Sequence, residues 1–399
     1  MTAAPPSPIA DESSPRYFGW RVVLTCFLMA LACWGFGLYG HSVYLAELTR
    51  LHGWPPSLIS GASTASYLLS AVLVIFTPNA LARFGARGFV LCGVGALGAS
   101  IVILALARAP WQVYAAYLLM SFGWLGLGLV VIPTLISEWF TRRRGLAISL
   151  ALNGASFGGI VVAPALVALI GVFGFTSAML IAAAVMAAIL VPVVVLWVPA
   201  KTASPTAPAA EAQWTRRDAL RSIPFWTVSG PFALALIAQV AFIVHQIAFM
   251  EPLVGRATAA LSVSLMTIFA VIGRLTLGMV VDILDPRALA AGSMVSQAAA
   301  LFAMTQTTDP TWLLAACAVY GFSVGNIITL PALIMQREFP AGSFSLVLGL
   351  STATGTFAGA LGPGLIGLIR EATGGYASAF AVCMALKLTG AAFVLIRKR

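Results

Sequence analysis

The chain is poor in charge. Asp, Glu, Lys and Arg make up 9% of its 399 residues, whereas hydrophobic residues make up 60%. A soluble domain carries about 25% charged residues. So few charges cannot cover a surface that faces water, which excludes a soluble globular protein. The outer solvent of the fold must therefore be lipid.

Cysteine and the motifs of soluble enzymes are also scarce. The five cysteines are odd in number, form no CxxC pair and fall within apolar runs, so neither disulfides nor a metal site are expected. The sequence has no Walker loop, GxSxG elbow, HExxH motif or pair of catalytic carboxylates. We therefore predict that the protein is not an enzyme and holds no cofactor and no metal.

The apolar runs are continuous and about 20 residues long, which is the length that crosses a bilayer as a helix. They do not alternate as barrel strands do. These runs predict an all-α polytopic membrane protein with about twelve transmembrane helices in two six-helix halves. The predicted spans are 19–46, 57–78, 88–107, 111–137, 145–171, 175–198, 225–250, 257–281, 287–306, 311–336, 344–369 and 376–396.

One long polar stretch, 199–222, divides the chain near its middle. We interpret it as a cytoplasmic linker with a short amphipathic helix. It separates an N-terminal half, 19–198, from a C-terminal half, 223–399. Residues 1–18 are rich in Pro, Ser and Ala and lack the features of a cleaved signal, which predicts a disordered cytoplasmic tail.

Basic residues are distributed unevenly between the loops. One set of alternating loops carries clusters such as Arg142, Arg143 and Arg144, whereas the other set carries four single arginines. By the positive-inside rule the first set is cytoplasmic, and both termini lie with it. The net charge of +10 then reflects topology and lipid headgroups rather than nucleic acid.

The two halves repeat in sequence. FGW at 122–124 followed by Pro133 matches YGF at 320–322 followed by Pro331, at the same spacing. Because six spans separate the matches, the halves share an orientation and are related by an axis along the membrane normal. A substrate site is expected between them, near the midplane. Further matches pair 154–164 with 355–363 and 174–179 with 375–380.

Several segments carry a resemblance to a known family. They are Gly19-Trp20, WFTRRRGLAISLALNGASFGG at 139–159, Gly273-Arg274 with Gly278, and GPGLIGLIREATGGYASAF at 362–380. With the repeat, they make the chain resemble the major facilitator superfamily over nearly its whole length. Within it, the chain is most similar to the monocarboxylate transporter group and its bacterial relatives.

More of the superfamily's cytoplasmic signature, including its first glycine and its acid, is kept in the second half than in the first. In the N-terminal half, Pro78 and Ala82 stand where the signature has a glycine and an acid, which weakens the charge latch that the resemblance implies. The signature positions that remain are Arg83, Gly85 and Arg87 in the first half and Gly278, Asp282 and Arg287 in the second.

Arg274 is the most informative residue. It lies inside span 8, where an uncompensated arginine costs about 2.5–3.5 kcal/mol, and no acid lies at comparable depth. A guanidinium matches a carboxylate with two hydrogen bonds. In monocarboxylate transporters an arginine at this place holds the substrate carboxylate, so the resemblance implies that role for Arg274. The alternative is a partner within the bundle. Ala270 stands where the family often has an acid.

Other polar and aromatic residues near the middle of the spans are candidates for the cavity. Gln239 shares a face with Phe242 and Gln246, and we expect this face to line the cavity, although hydrogen bonds between helices are an equal alternative. Lys387 is interpreted as snorkelling or as bonded to a carbonyl. The candidate substrate-binding residues are Arg274, Gln239, Trp124, Tyr320, Asn326, Tyr67 and Tyr39, and the candidates for proton coupling are His245 and His41.

These features predict a secondary carrier for a small organic monoanion, a monocarboxylate, which moves by alternating access with a proton or a counter-anion. The alternative is an efflux carrier for drugs or other hydrophobic compounds. An enzyme, a receptor and a channel are disfavoured by the missing catalytic groups, solvent domain and charge ring. We expect a monomer in a bacterial inner membrane, in contact with lipid and with no nucleic acid.

Overall fold

The computed structural model describes residues 12–128, 130–200, 214–281, 283–340 and 343–396. Ten helices in this part of the chain are long and apolar enough to cross a membrane. Gly174, with a φ of 76°, breaks the longest of them, Leu146–Trp197, into two crossings. Only glycine adopts this left-handed conformation at low cost. The 18-residue helix Pro56–Leu73 provides the twelfth crossing. The predicted fold of about twelve transmembrane helices is confirmed.

The helices are numbered α1 to α12 after the spans that they form. The N-terminal half contains α1 Gly19–His52, α2 Pro56–Leu73, α3 Arg83–Ala105, α4 Pro110–Ser137, α5 144–173 and α6 175–197. The C-terminal half contains α7 Ile223–Val254, α8 Arg256–Val280, α9 Pro286–Gln306, α10 Pro310–Glu338, α11 Phe344–Thr373 and α12 Tyr376–Val394. Four helices begin with proline, whose missing N–H costs nothing in the first turn.

Small residues line several of the helix contacts between the two halves. Across the interface α2 packs on α11, α5 packs on α8, and the second part of α1 packs on α7. Gly367 of α11 lies directly on Ser60 of α2, and the Gly364 N–H donates to Thr64 Oγ1 at 2.9 Å. Lipid gives helices no hydrophobic reason to associate, so close backbone approach and hydrogen bonds supply the attraction.

Polar contacts close the bundle at the face opposite the termini. Glu47, at the end of α1, is 1% exposed and pairs with Arg256, the first residue of α8. Ser57, in the first turn of α2, donates a hydrogen bond to Glu371 near the end of α11. Both contacts join the N-terminal half to the C-terminal half, so the structure is a state in which this face is closed.

Two π-helical turns face each other in the N-terminal half. They span Gly35–Tyr39 in α1 and Gly158–Val162 in α5. A π turn interrupts the regular hydrogen-bond ladder and is frequent at functional sites. Here carbonyls of both turns accept hydrogen bonds from other helices: Gly37 O from Tyr67 Oη at 3.1 Å, and Ile160 O from Ser264 Oγ at 2.9 Å. The second bond crosses to α8 in the other half.

Residues 12–18 pack against the α4–α5 loop instead of extending into solvent. Glu12 accepts hydrogen bonds from the backbone N–H groups of Thr141, Arg142 and Arg143 and from the Thr141 hydroxyl. These bonds, the Thr141 N–H first, lower the pKa of the Glu12 carboxyl to about 2. The expected disordered tail over residues 1–18 therefore differs from the structure at residues 12–18, while residues 1–11 lie outside the described part.

The linker is tied to both halves. At its start, Val198 O accepts a hydrogen bond from Arg87 Nε at 2.8 Å. Further along, the ring of Trp214 packs on Phe339 with centroids 5.4 Å apart, and the backbone N–H of Trp214 donates to Ser343 Oγ. A short helix, Arg216–Arg221, follows and is capped by Thr215. The predicted short helix in this segment is therefore present, and residues 201–213 lie outside the described part.

Candidate functional site

A cavity of about 260 Å³ lies between the halves. Its walls come from α1, α2 and α4 on one side and from α7, α10 and α11 on the other. The α7 and α11 walls are tightly packed, because Gly355 and Gly359 of α11 lie against Leu236 of α7. Its position agrees with the expectation of a site between the two repeats.

Three aromatic rings form the N-terminal wall of the cavity. The rings of Trp34 and Trp124 lie 4.9 Å apart at an angle of 49°, and Tyr67 meets Trp124 edge-on at 6.3 Å. Trp124 and Tyr67 were predicted from sequence, and the structure brings them together. Trp34 was missed, because a tryptophan in an apolar span carries no signal that separates a cavity wall from the core.

The lining of the cavity is mostly apolar. Of its hydroxyl groups, Tyr67 Oη donates to Gly37 O, Ser70 Oγ donates to Ser66 O at 2.9 Å, and Thr352 Oγ1 donates to Leu348 O at 2.8 Å. Ser351 and Thr356 of α11 also line the cavity. The α7 and α10 walls are apolar and include Phe232, Leu236, Val240, Ile327 and Ile328. The cavity is therefore a largely apolar compartment.

Arg274 lies beside this compartment on α8. Its stem packs on Gly325 of α10, one turn before the cavity residue Ile328, and it interacts electrostatically with Tyr39 of α1, next to the cavity residue Leu38. Its Nε atom has no hydrogen-bond partner within the described residues. No ion pair joins Arg274 to an acid of the described chain. Arg274 is half-buried, and a guanidinium with a buried, unused N–H is a site for an anion.

Close packing between α8 and α10 fixes the position of Arg274. Gly273 and Gly321 leave no room for a Cβ, since one would stand 1.8 Å from Phe322 O at the first position and 2.2 Å from Met266 O at the second. A Cβ at Gly325 would stand 2.9 Å from Arg274 Nε. The three glycines therefore allow a backbone contact that carries the guanidinium towards the interface between the halves.

The polar face of α7 points into the C-terminal half, not into the cavity. Gln239 is bonded to Gln297 of α9 at 3.2 Å, and Gln246 donates to Ser262 of α8 at 3.0 Å. Phe242 packs on the Tyr320 ring at 4.4 Å. The expectation that this face lines the cavity differs from the structure, and the alternative of hydrogen bonds between helices describes it. Neighbouring apolar residues of α7 form the wall instead.

Lys387 explains why α7 turns its polar face inward. Its side chain is fully buried, and Nζ donates to Ala235 O at 3.0 Å and to Gln297 Oε1. It also lies 5.4 Å from the centre of the Tyr320 ring. The carbonyl contact is confirmed, whereas snorkelling is excluded by the complete burial. An ammonium ion held by dipoles of α7 and α9 needs polar partners on those helices.

Tyr320 and Asn326 belong to the same interior. Tyr320 Oη is buried without a hydrogen-bond partner in the described chain, and Asn326 Nδ2 lies 3.4 Å from Ser293 Oγ. Neither side chain contributes to the lining of the cavity, although the adjacent Ile327 and Ile328 do. These two residues therefore support the cavity from behind.

Each half holds one buried histidine in its interior. His41 Nδ1 lies 3.0 Å from Tyr67 Oη, and its Nε2 lies 3.2 Å from Met120 Sδ. His245 Nδ1 lies 3.1 Å from Tyr376 Oη, and its Nε2 lies 3.0 Å from Pro363 O. A carbonyl can only accept, so His245 Nε2 carries a proton. His41 thus adjoins the cavity through Tyr67, while His245 adjoins α11.

The residues of the cytoplasmic signature make different contacts in the two halves. Arg87 bonds a backbone carbonyl, and Arg83 lies over the Phe84 ring. Gly85, with a φ of 70°, lies against Ala200 O. In the C-terminal half Arg287 pairs with both carboxylate oxygens of Glu338, at 2.6 and 2.7 Å. Gly278 has open space around it, and Asp282 lies outside the described residues.

The family model described as Major Facilitator Superfamily matches residues 23–256, more than half of the chain. The chain therefore belongs to the major facilitator superfamily and is a membrane transporter. Its relatives are transporters, not enzymes.

Within the superfamily the chain is close to the monocarboxylate transporter group. It is 27% identical over 391 residues to Monocarboxylate transporter 13 of Bos taurus, covering 95% of this chain and 89% of that one. It is 30% identical over 332 residues to Monocarboxylate transporter 11 of Mus musculus, covering 77% and 71%. The solved structure of the nucleoside transporter NupG has a TM-score of 0.75 at 16% identity, over 94% and 98%, and this likeness concerns the fold alone.

Proposed function

We propose that this chain is a secondary active transporter of a small organic monoanion, a monocarboxylate, that works by alternating access. The observation that carries the proposal is Arg274, a guanidinium inside α8 with an unpartnered Nε and no acid in contact among the described residues. The relatives that are named monocarboxylate transporters support the same substrate class. Trp124 and Tyr67 would then contact the body of the substrate.

The two halves would rock about the contacts that join them. In the present state the face opposite the termini is closed by Glu47 with Arg256 and by Ser57 with Glu371. We place the termini in the cytoplasm of a bacterial cell, with the protein as a monomer in the inner membrane, because basic residues concentrate on that face. The closed face would then be the outer one.

The test of carboxylate capture is uptake by proteoliposomes that contain Arg274→Ala or Arg274→Lys. A hydrogen bond to a charged group is worth about 1.5–3 kcal/mol, so alanine should lower affinity about ten- to 150-fold. Lysine keeps the charge but cannot donate two parallel hydrogen bonds to a carboxylate, so Arg274→Lys should also lose uptake. Arg21→Ala, a change at an exposed arginine of α1, is the control for insertion and folding. Normal carboxylate uptake by Arg274→Ala would refute the proposal.

An efflux carrier for hydrophobic compounds is the second candidate, and the apolar lining of the cavity favours it. The two functions differ in their need for Arg274. An efflux carrier for neutral compounds would keep its activity in Arg274→Ala, whereas a carboxylate carrier would lose it. The same variant therefore separates the two candidates.

Proton coupling would rest on a histidine, because Ala270 supplies no acid beside Arg274. His245 is the stronger candidate, since its Nε2 holds Pro363 O while the next residue, Gly364, bonds Thr64 of the other half. We expect His245→Gln to flatten the pH dependence of uptake and His41→Gln to change it less. Uptake with an inward pH gradient, with and without internal substrate, measures this. Stimulation by internal substrate alone would replace symport by anion exchange.

A further inference from the structure

The lining of the cavity indicates which part of a substrate it can accept. We infer that the transported monocarboxylate has a compact apolar body, aromatic or branched. This inference rests on the proposed function, since it takes the carboxylate to be held by Arg274. It concerns the part of the substrate beyond the carboxylate.

The hydroxyl groups of the lining are few. Tyr67, Ser70 and Thr352 each donate to a backbone carbonyl of the protein, and Ser351 and Thr356 of α11 also line the cavity. A substrate with many hydroxyl groups would leave some of them buried without a hydrogen-bond partner. Burying a hydroxyl without a partner costs about 1–3 kcal/mol in proteins. Sugar acids and nucleosides are disfavoured for this reason.

The volume of the cavity favours a substrate larger than acetate or lactate. Its volume of about 260 Å³ is the space of about nine water molecules at ~30 Å³ each. An acetate or a lactate would leave most of this space filled with water against tryptophan and aliphatic side chains. An aryl or branched alkyl group would displace that water and bury apolar area, at roughly 25 cal/mol per Å².

The aromatic wall of the cavity favours an aromatic group in the substrate. Trp34 and Trp124 are tilted by 49° with ring centres 4.9 Å apart, and both line the cavity. Aromatic groups favour offset or edge-to-face contacts at centroid distances of 4.5–7 Å. A ring entering from the α7 and α10 side would meet such a surface on one side and the aliphatic residues Leu236 and Ile328 on the other.

Equilibrium binding to the purified full-length protein tests the inference, by calorimetry with phenylacetate, acetate, lactate and 2-phenylethanol. We expect phenylacetate to bind at least about tenfold more tightly than acetate or lactate, and 2-phenylethanol at least about tenfold more weakly than phenylacetate. Equal binding of acetate and phenylacetate, with weak 2-phenylethanol, would overturn this inference alone. Equal binding of phenylacetate and 2-phenylethanol would overturn the proposed function as well.

One variant with a matched control locates the effect. Trp124→Ala should lower the affinity for phenylacetate at least about tenfold and leave that for acetate unchanged. Trp111→Ala changes a tryptophan of the same helix that is 69% exposed, and should alter neither. An unchanged phenylacetate affinity in Trp124→Ala would contradict the inference.

Discussion

Among the described residues of the C-terminal half, Lys387 and Arg274 are cations within the helix bundle that pair with no acid, and their surroundings separate their roles. Lys387 is enclosed, and its Nζ is bonded to Ala235 O and Gln297 Oε1. Arg274 stands at the interface between the halves with an unused Nε. A fully buried cation bonded to acceptors of two neighbouring helices holds those helices together, whereas one with a free donor at the interface can bind a ligand.

The N-terminal tail offers a test at the scale of one side chain. Glu12→Gln should loosen the α4–α5 loop, because an amide accepts the N–H groups of Thr141 and Arg143 less strongly than a carboxylate does. Hydrogen–deuterium exchange at residues 141–143 should become several-fold faster. Ser14→Ala, in the same tail without a contact to this loop, is the control.

The pKa of Glu12 also fixes how this contact responds to pH. The folded pKa of about 2 is below the ordinary value of 4.5, so the stabilisation is complete above about 4.5 and is lost as the pH falls towards 2. Exchange at residues 141–143, corrected for its intrinsic pH dependence, should therefore be constant between about pH 5 and pH 8. A change within that range would contradict the ionised contact.

The role of a residue could be predicted from the sequence where its depth in the membrane and its chemistry were enough to single it out. Arg274 could be singled out because an arginine deep in lipid needs an explanation. Gln239 could not be assigned, since its direction depends on Lys387 and Gln297 of other helices. The packing of α7 against α12 and the bond from Gln297 of α9 decide which face of α7 meets the cavity.

At the scale of helices, the π turns are the main departure from regular structure. Gly158 in α5 lies directly on Gly35 in α1, so each helix can be interrupted at the point where the other comes closest. The freed carbonyl Ile160 O then reaches Ser264 of α8. Packing between two helices of one half is in this way coupled to a contact with the other half.

Gly158→Ala tests this contact. A Cβ there would stand 2.7 Å from Gly35 N and 2.8 Å from Leu31 O, and both are backbone atoms that cannot move aside. We expect the free energy of unfolding to fall by about 1–3 kcal/mol, seen as a lower melting temperature, with a loss of transport. Gly171→Ala in the same helix has no atom within 4 Å of the new Cβ and should be neutral. Equal melting temperatures for the two variants would exclude the packing role.

The existence of the helices followed from the length of their apolar runs, and proline marked several of their starts. The π turns did not follow from the sequence. Glycines at 35, 37, 158 and 159 were consistent with close packing, but so were many other glycines in the chain. A π turn adds one residue to a helical turn. Its position depends on the register that the neighbouring helix imposes, which a single sequence does not contain.

At the scale of the whole molecule, the ion pair between Glu47 and Arg256 joins the halves at the closed face. Glu47 has a second partner, Arg50, within its own helix at 2.5 Å. Arg256→Gln removes only the bond between halves, while Arg50→Gln removes only the bond within one half. The two variants therefore form a matched pair for the stability of the closed state.

We expect Arg256→Gln to open this face more often and Arg50→Gln to leave it closed. A cysteine at Thr64, which lies between α2 and α11, reports the opening when a membrane-impermeant thiol reagent is added from that side, in a background with Cys92 changed to serine. The labelling rate should rise on the order of tenfold, equivalent to about 1.4 kcal/mol. Equal rates in the two variants would show that the pair does not hold the face closed.

The two-half architecture was predictable because repeats and loop charges extend over the whole chain. The state of the carrier was not. Which face is closed depends on contacts such as Ser57 with Glu371, between residues more than 300 positions apart. Each of these side chains is ordinary for the end of a transmembrane helix, so neither carries a signal of its partner.

The uncompensated charge of Arg274 has an electrical consequence. An empty site that carries one positive charge becomes neutral when a monocarboxylate binds. Moving one elementary charge through a membrane potential of 100 mV is worth about 2.3 kcal/mol. The field across the bilayer therefore acts on the empty site as it changes sides, and on the loaded site only when a proton accompanies the substrate. In symport an inside-negative potential would slow the outward return of the empty site, whereas in anion exchange only loaded, neutral sites change sides and voltage would have little effect.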